Sequence, residues 1–234
     1  MLDSAERALI KKNVEGILSV LPSEVTLLAA SKGASVEKIN YAAECGVKVI
    51  GENRVDELLS KYDGIDKSKL DIHFIGHLQT NKVKYIIDKV SLIHSVDSLH
   101  LAEEISKRAG KVGKVMRVLV EVNIGGEISK SGVAPEETAE FVKKIAVLPN
   151  ISVSGLMCIP PKSDDDEKNS AFFKKIKQIF IDISGKKVDN INMGILSMGM
   201  SSDWKTAVEC GSTMIRVGSG IFGARYYPPV SQAD

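Results

Sequence analysis

Eight short apolar runs alternate along the chain with amphipathic segments of helical spacing. The runs are TLLAAS from residue 26, VKVIGE from 47, DIHFIG from 71, SLIHSVD from 91, VMRVLVEVNI from 115, ISVSGLMCI from 151, INMGILSMGM from 191 and TMIRVGSGIFG from 213. Such near-continuous runs are typical of parallel strands covered on both faces. Eight strand–helix units in 234 residues predict an α/β fold, a closed (β/α)8 TIM-type barrel. An open doubly wound sheet is the alternative, although it would more naturally have fewer strands.

The segments outside these units are short. Residues 1–21 mix charges and apolar residues at helical spacing and lack the features of a signal peptide, so they predict an extra N-terminal helix. Residues 160–170, PPKSDDDEKNS, are the most polar stretch and lie between a strand and its helix, which predicts one long βα loop. Because no linker separates the units, we predict a single barrel domain over residues 1–234.

Charge and cysteine content argue against several classes of protein. With 31 Lys+Arg and 30 Asp+Glu, the formal charge is +1, so no strong field would attract nucleic acid or a membrane surface. No segment approaches the apolar length of a membrane span. Cys45, Cys158 and Cys210 are unclustered, which argues against a disulfide framework or a zinc site. The acidic triplet 164–166 is best read as solvated, so we expect a cytoplasmic protein without a metal.

Lys32 follows directly on the first apolar run. An ammonium group is costly to bury, so a lysine at the end of a buried strand either reaches solvent or has a chemical task. Reaching solvent is the commoner outcome. In (β/α)8 proteins the functional groups lie at the C-terminal ends of the strands, which is where Lys32 is expected.

Two loops at this end have the composition of an anion site. After the eighth run, the glycines of RVGSGIFG allow backbone N–H groups to approach an anion closely. After the seventh run, LSMGMSSDW supplies the hydroxyls of Ser197 and Ser201, and Ser202 could cap the next helix. Phosphate groups often bind at these two loops of the barrel, so together they predict a phosphate site.

Arg216 and Asn53 are two further polar candidates. Arg216 lies inside the eighth apolar run, where a permanent cation needs an acceptor. A core ion pair with Glu121 or Glu52 and a contact to a ligand are both open. Asn53 follows the second run and could contact a ligand or cap the next helix, which is the commoner role.

Lys32, the two anion loops and Arg216 together describe a site for pyridoxal 5′-phosphate (PLP). The lysine would form a Schiff base with the cofactor aldehyde, which resolves the cost of its buried charge. The loops would hold the phosphate, and Arg216 would face the pyridine nitrogen.

Five segments, in order and over nearly the whole chain, resemble the pyridoxal phosphate homeostasis protein family, also called the YggS or proline synthetase co-transcribed homologue family. They are AASKGAS, GENRVDE, HFIGHLQTNK, LSMGMSSDW and STMIRVGSGIFGAR. The resemblance implies a barrel similar to the N-terminal domain of alanine racemase, with the cofactor aldehyde on Lys32. It also implies phosphate contacts from Ser197, Gly218 and Ser219, with Arg216 near the ring nitrogen and Asn53 near the ring.

The chain departs from the family pattern at two places. Residues 33–35 are Gly-Ala-Ser where threonine, lysine and proline are commoner, and Ile72 replaces a frequent tryptophan. Neither change removes an expected cofactor contact, but both bear on the shape of the open face around the cofactor.

The resemblance implies a carrier rather than an enzyme, one that binds PLP reversibly, takes part in intracellular PLP homeostasis and supplies PLP-dependent apoenzymes. We also expect the protein to be a monomer. The alternative is a PLP-dependent amino-acid racemase or decarboxylase. Racemases of this type resemble a two-domain design with a catalytic tyrosine from a second domain, for which we expect no counterpart here, and Tyr226 and Tyr227 are expected at the surface. An arginine at the ring nitrogen also disfavours carbanion chemistry. A Schiff-base aldolase acting on a phosphorylated sugar would need a nearby general acid or base.

Overall fold

The computed structural model describes residues 2–127, 130–161, 163, 165–186 and 189–223. Eight parallel strands form a closed barrel in sequence order, and β1 pairs with β8 to complete it. The strands are β1 Thr26–Ala30, β2 Val49–Glu52, β3 Asp71–Phe74, β4 Leu92–Val96, β5 Met116–Val122, β6 Ile151–Cys158, β7 Ile191–Ser197 and β8 Met214–Val217. The predicted (β/α)8 barrel is confirmed, and the open-sheet alternative is wrong.

Helices cover the outside of the barrel. They are α1 Ser4–Leu18, α2 Val36–Glu44, α3 Val55–Lys61, α4 Val83–Ile86, α5 Leu99–Lys111, α6 Thr138–Ala146, α7 Asp166–Ser184, α8 Trp204–Glu209 and α9 Ser219–Phe222. The predicted extra helix is α1, which begins at a capping box of Asp3 and Glu6 and packs beside α2 and α9. In the part of the chain that the structure describes, no helix is long and apolar enough to cross a membrane.

The polar stretch 160–170 is only partly a loop. Helix α7 begins at Asp166, because the Asp165 carboxylate accepts the backbone N–H groups of Glu167 and Lys168 and so caps the helix. The βα loop is therefore shorter than predicted.

Side chains alternate between the barrel interior and the layer under the helices. Leu28, Ile75 and Met214 pack together in the interior, whereas Ile72 belongs to the large core between sheet and helices. The replacement of tryptophan by Ile72 thus lies away from the barrel interior.

Candidate functional site

A cavity of about 570 Å³ opens at the C-terminal ends of the strands. Its polar lining consists of Asn53, Ser201, Ser202, Arg216, Gly218 and Ser219, and its apolar lining of Ala30, Ile75, Ile159 and Met200. The structure therefore brings together five of the predicted site residues in one concave pocket of the size that holds small cofactors. Lys32 and Ser197 are not part of its wall.

The loops after β7 and β8 meet at Ser201. Its Oγ accepts the backbone N–H groups of Gly218 and Gly220, each at 3.2 Å. Gly220 packs so closely on β8 that a Cβ atom there would lie 2.7 Å from Val217 Cγ1. Two backbone N–H groups that converge on one oxygen at the cavity wall are arranged as in an anion site.

The prediction that Ser202 caps the next helix is wrong. Helix α8 begins at Trp204, and the residue before it, Asp203, accepts the backbone N–H of Met200 at 2.6 Å. The Asp203 carboxylate thereby holds the loop after β7, while Ser202 lines the cavity.

Arg216 points from β8 into the upper part of the barrel and is 5% exposed. Its Nη1 donates to Ser197 Oγ at 2.6 Å and its Nη2 to the Cys158 carbonyl at 2.9 Å. Burial lowers the pKa of this guanidinium below its usual value, while Cys158, Glu121 and Asp203 act in the opposite direction. Because a guanidinium has five N–H donors, hydrogen-bonding capacity remains for a ligand in the cavity.

The core ion pair considered for Arg216 is not formed. Within the described residues, no carboxylate lies within 4.0 Å of its guanidinium, and Glu52 pairs instead with Lys61 at 3.0 Å. Glu121 remains a separate buried carboxyl: burial and the charge of Asp97 raise its pKa to about 7, against the opposing effect of Arg216.

Asn53 does not cap a helix. Helix α3 begins at Val55, and the residue before it, Arg54, supplies no side-chain cap either. The backbone of Asn53 is tightly packed, since a Cβ atom on Gly76 would lie 2.1 Å from the Asn53 carbonyl oxygen. Asn53 is half-buried and lines the cavity from this tightly packed backbone, which suits a ligand contact.

Lys32 lies in a turn two residues after β1 and is half-buried. Ala30, at the end of the strand, lines the cavity and lies two residues before Lys32. In the described part of the chain, its amine makes no hydrogen bond or ion pair that would hold it elsewhere. The structure thus places Lys32 beside the pocket rather than in its wall.

Hydrogen bonds hold the chain immediately before and after Lys32. Lys61 Nζ donates to the Ser31 carbonyl at 3.0 Å, and Glu57 Oε1 accepts the backbone N–H of Gly33 at 2.5 Å. Gly33 has a φ of 77°, which glycine adopts without strain. Glycine at residue 33 therefore suits this turn.

The two clamping residues are themselves linked. Lys61 Nζ also donates to Glu57 Oε1 at 2.6 Å and to Glu52 Oε1 at 3.0 Å, and Ser31 Oγ donates to Glu52 Oε1 at 2.7 Å. We did not predict this network from the sequence. The i,i+4 spacing of Glu57 and Lys61 on α3 was its one visible signal, and such pairs are common on helices.

Ser197 lies beneath Arg216 rather than at the cavity. It is completely buried, and besides accepting from Arg216 its Oγ lies 3.3 Å from His94 Nδ1. His94 in turn contacts His73, with 3.0 Å between Nε2 and Nδ1. The structure therefore does not bring the Ser197 hydroxyl to the pocket, and it adds two buried histidines that the sequence interpretation did not place at the site.

Comparison with known proteins agrees with this architecture. The family model described as alanine racemase, N-terminal domain, matches residues 6–226. A pyridoxal phosphate homeostasis protein of Aquifex aeolicus is 47% identical over 201 residues, which cover 86% of this chain and 87% of the relative. The chain belongs to the pyridoxal phosphate homeostasis protein family.

Solved structures place this family member among similar barrels. PipY of Synechococcus elongatus, solved with PLP bound, has a TM-score of 0.84 at 32% identity, covering 92% of this chain and 100% of PipY. An alanine racemase of Clostridium difficile has a TM-score of 0.68 at 16% identity and is covered over 58% of its length. The second similarity shows the shared barrel fold alone.

Proposed function

We propose that this protein holds pyridoxal 5′-phosphate as a Schiff base on Lys32 and takes part in intracellular PLP homeostasis and supply, without amino-acid turnover of its own. The observation that carries the proposal is a single cavity that combines converging backbone N–H groups, a buried arginine and an adjacent lysine. The PLP bound to the related PipY supports the same ligand. The bound aldehyde supplies a reversible covalent link to an amine and, in enzymes, an electron sink.

The residues fit the phosphate of this cofactor. The N–H groups of Gly218 and Gly220 already point at one oxygen, that of Ser201. In the proposal these N–H groups, with the hydroxyls of Ser201 and Ser219, bind the phosphate. Hydrogen bonds to a charged acceptor are the stronger kind, so phosphate can replace Ser201 as the acceptor.

The residues also fit the ring. Arg216 presents unused N–H donors, and among the described residues no carboxylate lies within 4.0 Å of its guanidinium, although Glu121 and Asp203 act on it from farther away. Arg216 is proposed to donate to the pyridine nitrogen, with Asn53 beside the ring and Ile75 and Met200 providing apolar contacts. A permanently charged donor keeps a proton off the ring nitrogen, which weakens carbanion stabilisation.

The cavity wall argues for a carrier. Within the described residues, Arg216 is the one titratable side chain that lines the pocket. Racemisation requires an acid or base on each face of the substrate, and the described residues of the cavity wall supply none opposite Lys32. Tyr226 and Tyr227 lie outside the described residues. We propose that release to apoenzymes follows from the open pocket, which leaves the lysine link within reach of water and competing amines.

Borohydride reduction followed by peptide mapping tests the covalent site. The PLP-loaded protein should be yellow, and reduction should fix a pyridoxyl group on the peptide that contains Lys32. Lys32→Ala should abolish both signals, whereas the control Lys48→Ala, which alters an exposed lysine immediately before β2, should retain them. A label on another lysine, or a full visible spectrum in Lys32→Ala, would overturn the assignment.

A further inference from the structure

We propose that His94 and His73 are positioning residues that orient Arg216 toward the cavity, as part of a hydrogen-bond chain that ends at Asp71 on the opposite side of the barrel. The role of Arg216 at the cofactor ring, on which this inference rests, belongs to the proposed function.

The chain consists of four successive contacts through the barrel interior. Arg216 Nη1 lies 2.6 Å from Ser197 Oγ, which lies 3.3 Å from His94 Nδ1. His94 Nε2 lies 3.0 Å from His73 Nδ1, and His73 Nε2 lies 3.2 Å from Asp71 Oδ2. The four inner residues are at most 5% exposed, whereas the Asp71 side chain is 48% exposed at the start of β3.

The two ends of this chain determine its direction. A guanidinium can only donate, and an ionised carboxylate can only accept. Burial acts to raise the pKa of Asp71, but hydrogen bonds from His73 and Ser91 hold it below its ordinary value, so the carboxylate is ionised at neutral pH.

One arrangement of protons satisfies every contact. Arg216 donates to Ser197 Oγ, and the Ser197 hydroxyl donates to His94 Nδ1. His94 Nε2–H then donates to His73 Nδ1, and His73 Nε2–H donates to Asp71. Both imidazoles are neutral in this arrangement, and both carry their proton on Nε2.

The surroundings of His94 favour the neutral form. Complete burial, followed by the charges of His73, Arg216 and Arg117, lowers its pKa well below the ordinary 6.5. An added proton on either ring would leave the Ser197 hydroxyl without its acceptor in the chain. The neutral pair is therefore the state that keeps the oxygen lone pairs of Ser197 directed at Arg216.

This arrangement explains how an arginine that forms no ion pair within the described residues is held in place. Ser197 Oγ and the Cys158 carbonyl fix Nη1 and Nη2 from the barrel side, which leaves the other donors for the cavity. Asp71 compensates the charge at the far end of a polarised chain, where hydrogen bonds strengthen one another.

Other titratable groups face the hydrogen-bond chain, and their effects must be distinguished from those of the two histidines. Arg117 faces His94, and Cys158, Glu121 and Asp203 face Arg216. Glu121 titrates near pH 7, so a pH effect on cofactor binding would not by itself report on the histidines. The test below therefore reads proton positions directly at one pH.

The first measurement needs no cofactor. In the double variant His77→Gln/His100→Gln, which removes the two exposed histidines, long-range ¹H–¹⁵N spectra at pH 7.5 report His73 and His94 alone. We expect two neutral rings, each protonated at Nε2. A ring protonated at Nδ1, or a charged ring, would overturn the proposal.

The second measurement tests whether the hydrogen-bond chain affects PLP binding through Arg216. His94→Leu removes the acceptor for Ser197, whereas His94→Asn keeps an oxygen close to the position of Nδ1. We expect about tenfold weaker PLP binding and a shifted visible absorption maximum in His94→Leu, and values close to those of the unaltered protein in His94→Asn and in the surface control His100→Leu.

The outcomes distinguish the inference from the proposed function. If the unaltered protein does not bind PLP, the proposed function fails while the proton positions still test the chain. If PLP binds equally well, with the same spectrum, in folded His94→Leu, the histidines do not position Arg216. If His94→Leu does not fold, Asp71→Ala at the exposed end takes its place: the shifted spectrum is again expected, and an unchanged one would overturn the proposal.

Discussion

The amine of Lys61 lies 3.0 Å from the carbonyl oxygen of Ser31, the residue immediately before Lys32. With Glu57 bound to the backbone N–H of Gly33, this contact fixes the turn on both sides of the proposed attachment lysine. A lysine that must meet an aldehyde repeatedly benefits from a rigid backbone, because less orientational freedom is lost on each attachment.

Lys61→Met should therefore destabilise the protein and weaken cofactor attachment. Removing one partner leaves the fully buried Glu52 without its cation, and breaking a buried pair in this way costs about 3–5 kcal/mol. Denaturant unfolding measures the loss, and borohydride labelling of Lys32 measures attachment. The control Lys48→Met alters an exposed lysine. A loss below about 1 kcal/mol would show that the network contributes little.

Gly220→Ala should weaken PLP binding by about tenfold or more while the barrel stays folded. The added Cβ would lie 2.7 Å from Val217 Cγ1, so the turn that carries the converging N–H groups must shift. The control is Gly194→Ala on β7, where the nearest atom to a Cβ is 3.7 Å away. Titration with PLP and competition by inorganic phosphate give the affinities. Equal affinities in both variants would remove this loop from the phosphate site.

Glu121 should make stability depend on pH. Its pKa is raised from 4.5 to about 7 in the folded protein, so the folded state holds a proton that the unfolded state loses. The resulting stability is fully present below pH 4.5 and is lost as the pH rises through 7. Unfolding measured from pH 4.5 to 8 should show Glu121→Gln gaining about 1–3 kcal/mol on the unaltered protein. If the difference in the free energy of unfolding between Glu121→Gln and the unaltered protein stays the same across this pH range, the prediction is wrong. The control is Glu103→Gln, at an exposed position of α5.

The PLP-loaded protein should turn over no common amino acid at ordinary enzyme rates, yet should reactivate a cofactor-depleted PLP enzyme. The cavity wall supplies no second acid or base within the described residues, and its open mouth permits transfer. Chiral analysis after incubation with single amino acids tests the first part, and recovery of apoenzyme activity tests the second. Steady turnover that is lost in Lys32→Ala would instead favour the racemase or decarboxylase alternative.

The sequence by itself determined the barrel and the end of the barrel at which the site lies. Eight apolar runs of strand length report a local property, burial on both faces, so they predicted all eight strands. The loops after β7 and β8 are rich in glycine and serine, a composition that allows backbone N–H groups to approach an acceptor closely. They indicated where such N–H groups would converge. Together with Lys32 and Arg216 these loops indicated the cofactor, and the family motifs implied the same one.

Tertiary structure alone decided which polar groups meet. His94 contacts Ser197, which is 103 residues away in sequence, and Lys61 reaches Ser31 across 30 residues. No periodicity encodes such pairs, because they depend on strand register and on how helices pack over the barrel. Burial then sets the electrostatics of these groups, since desolvation raises the pKa of Glu121 to about 7 and lowers the pKa of His94 well below 6.5. The lysine and the loops could thus be read from the chain, whereas the network that supports them follows from the closure of the barrel.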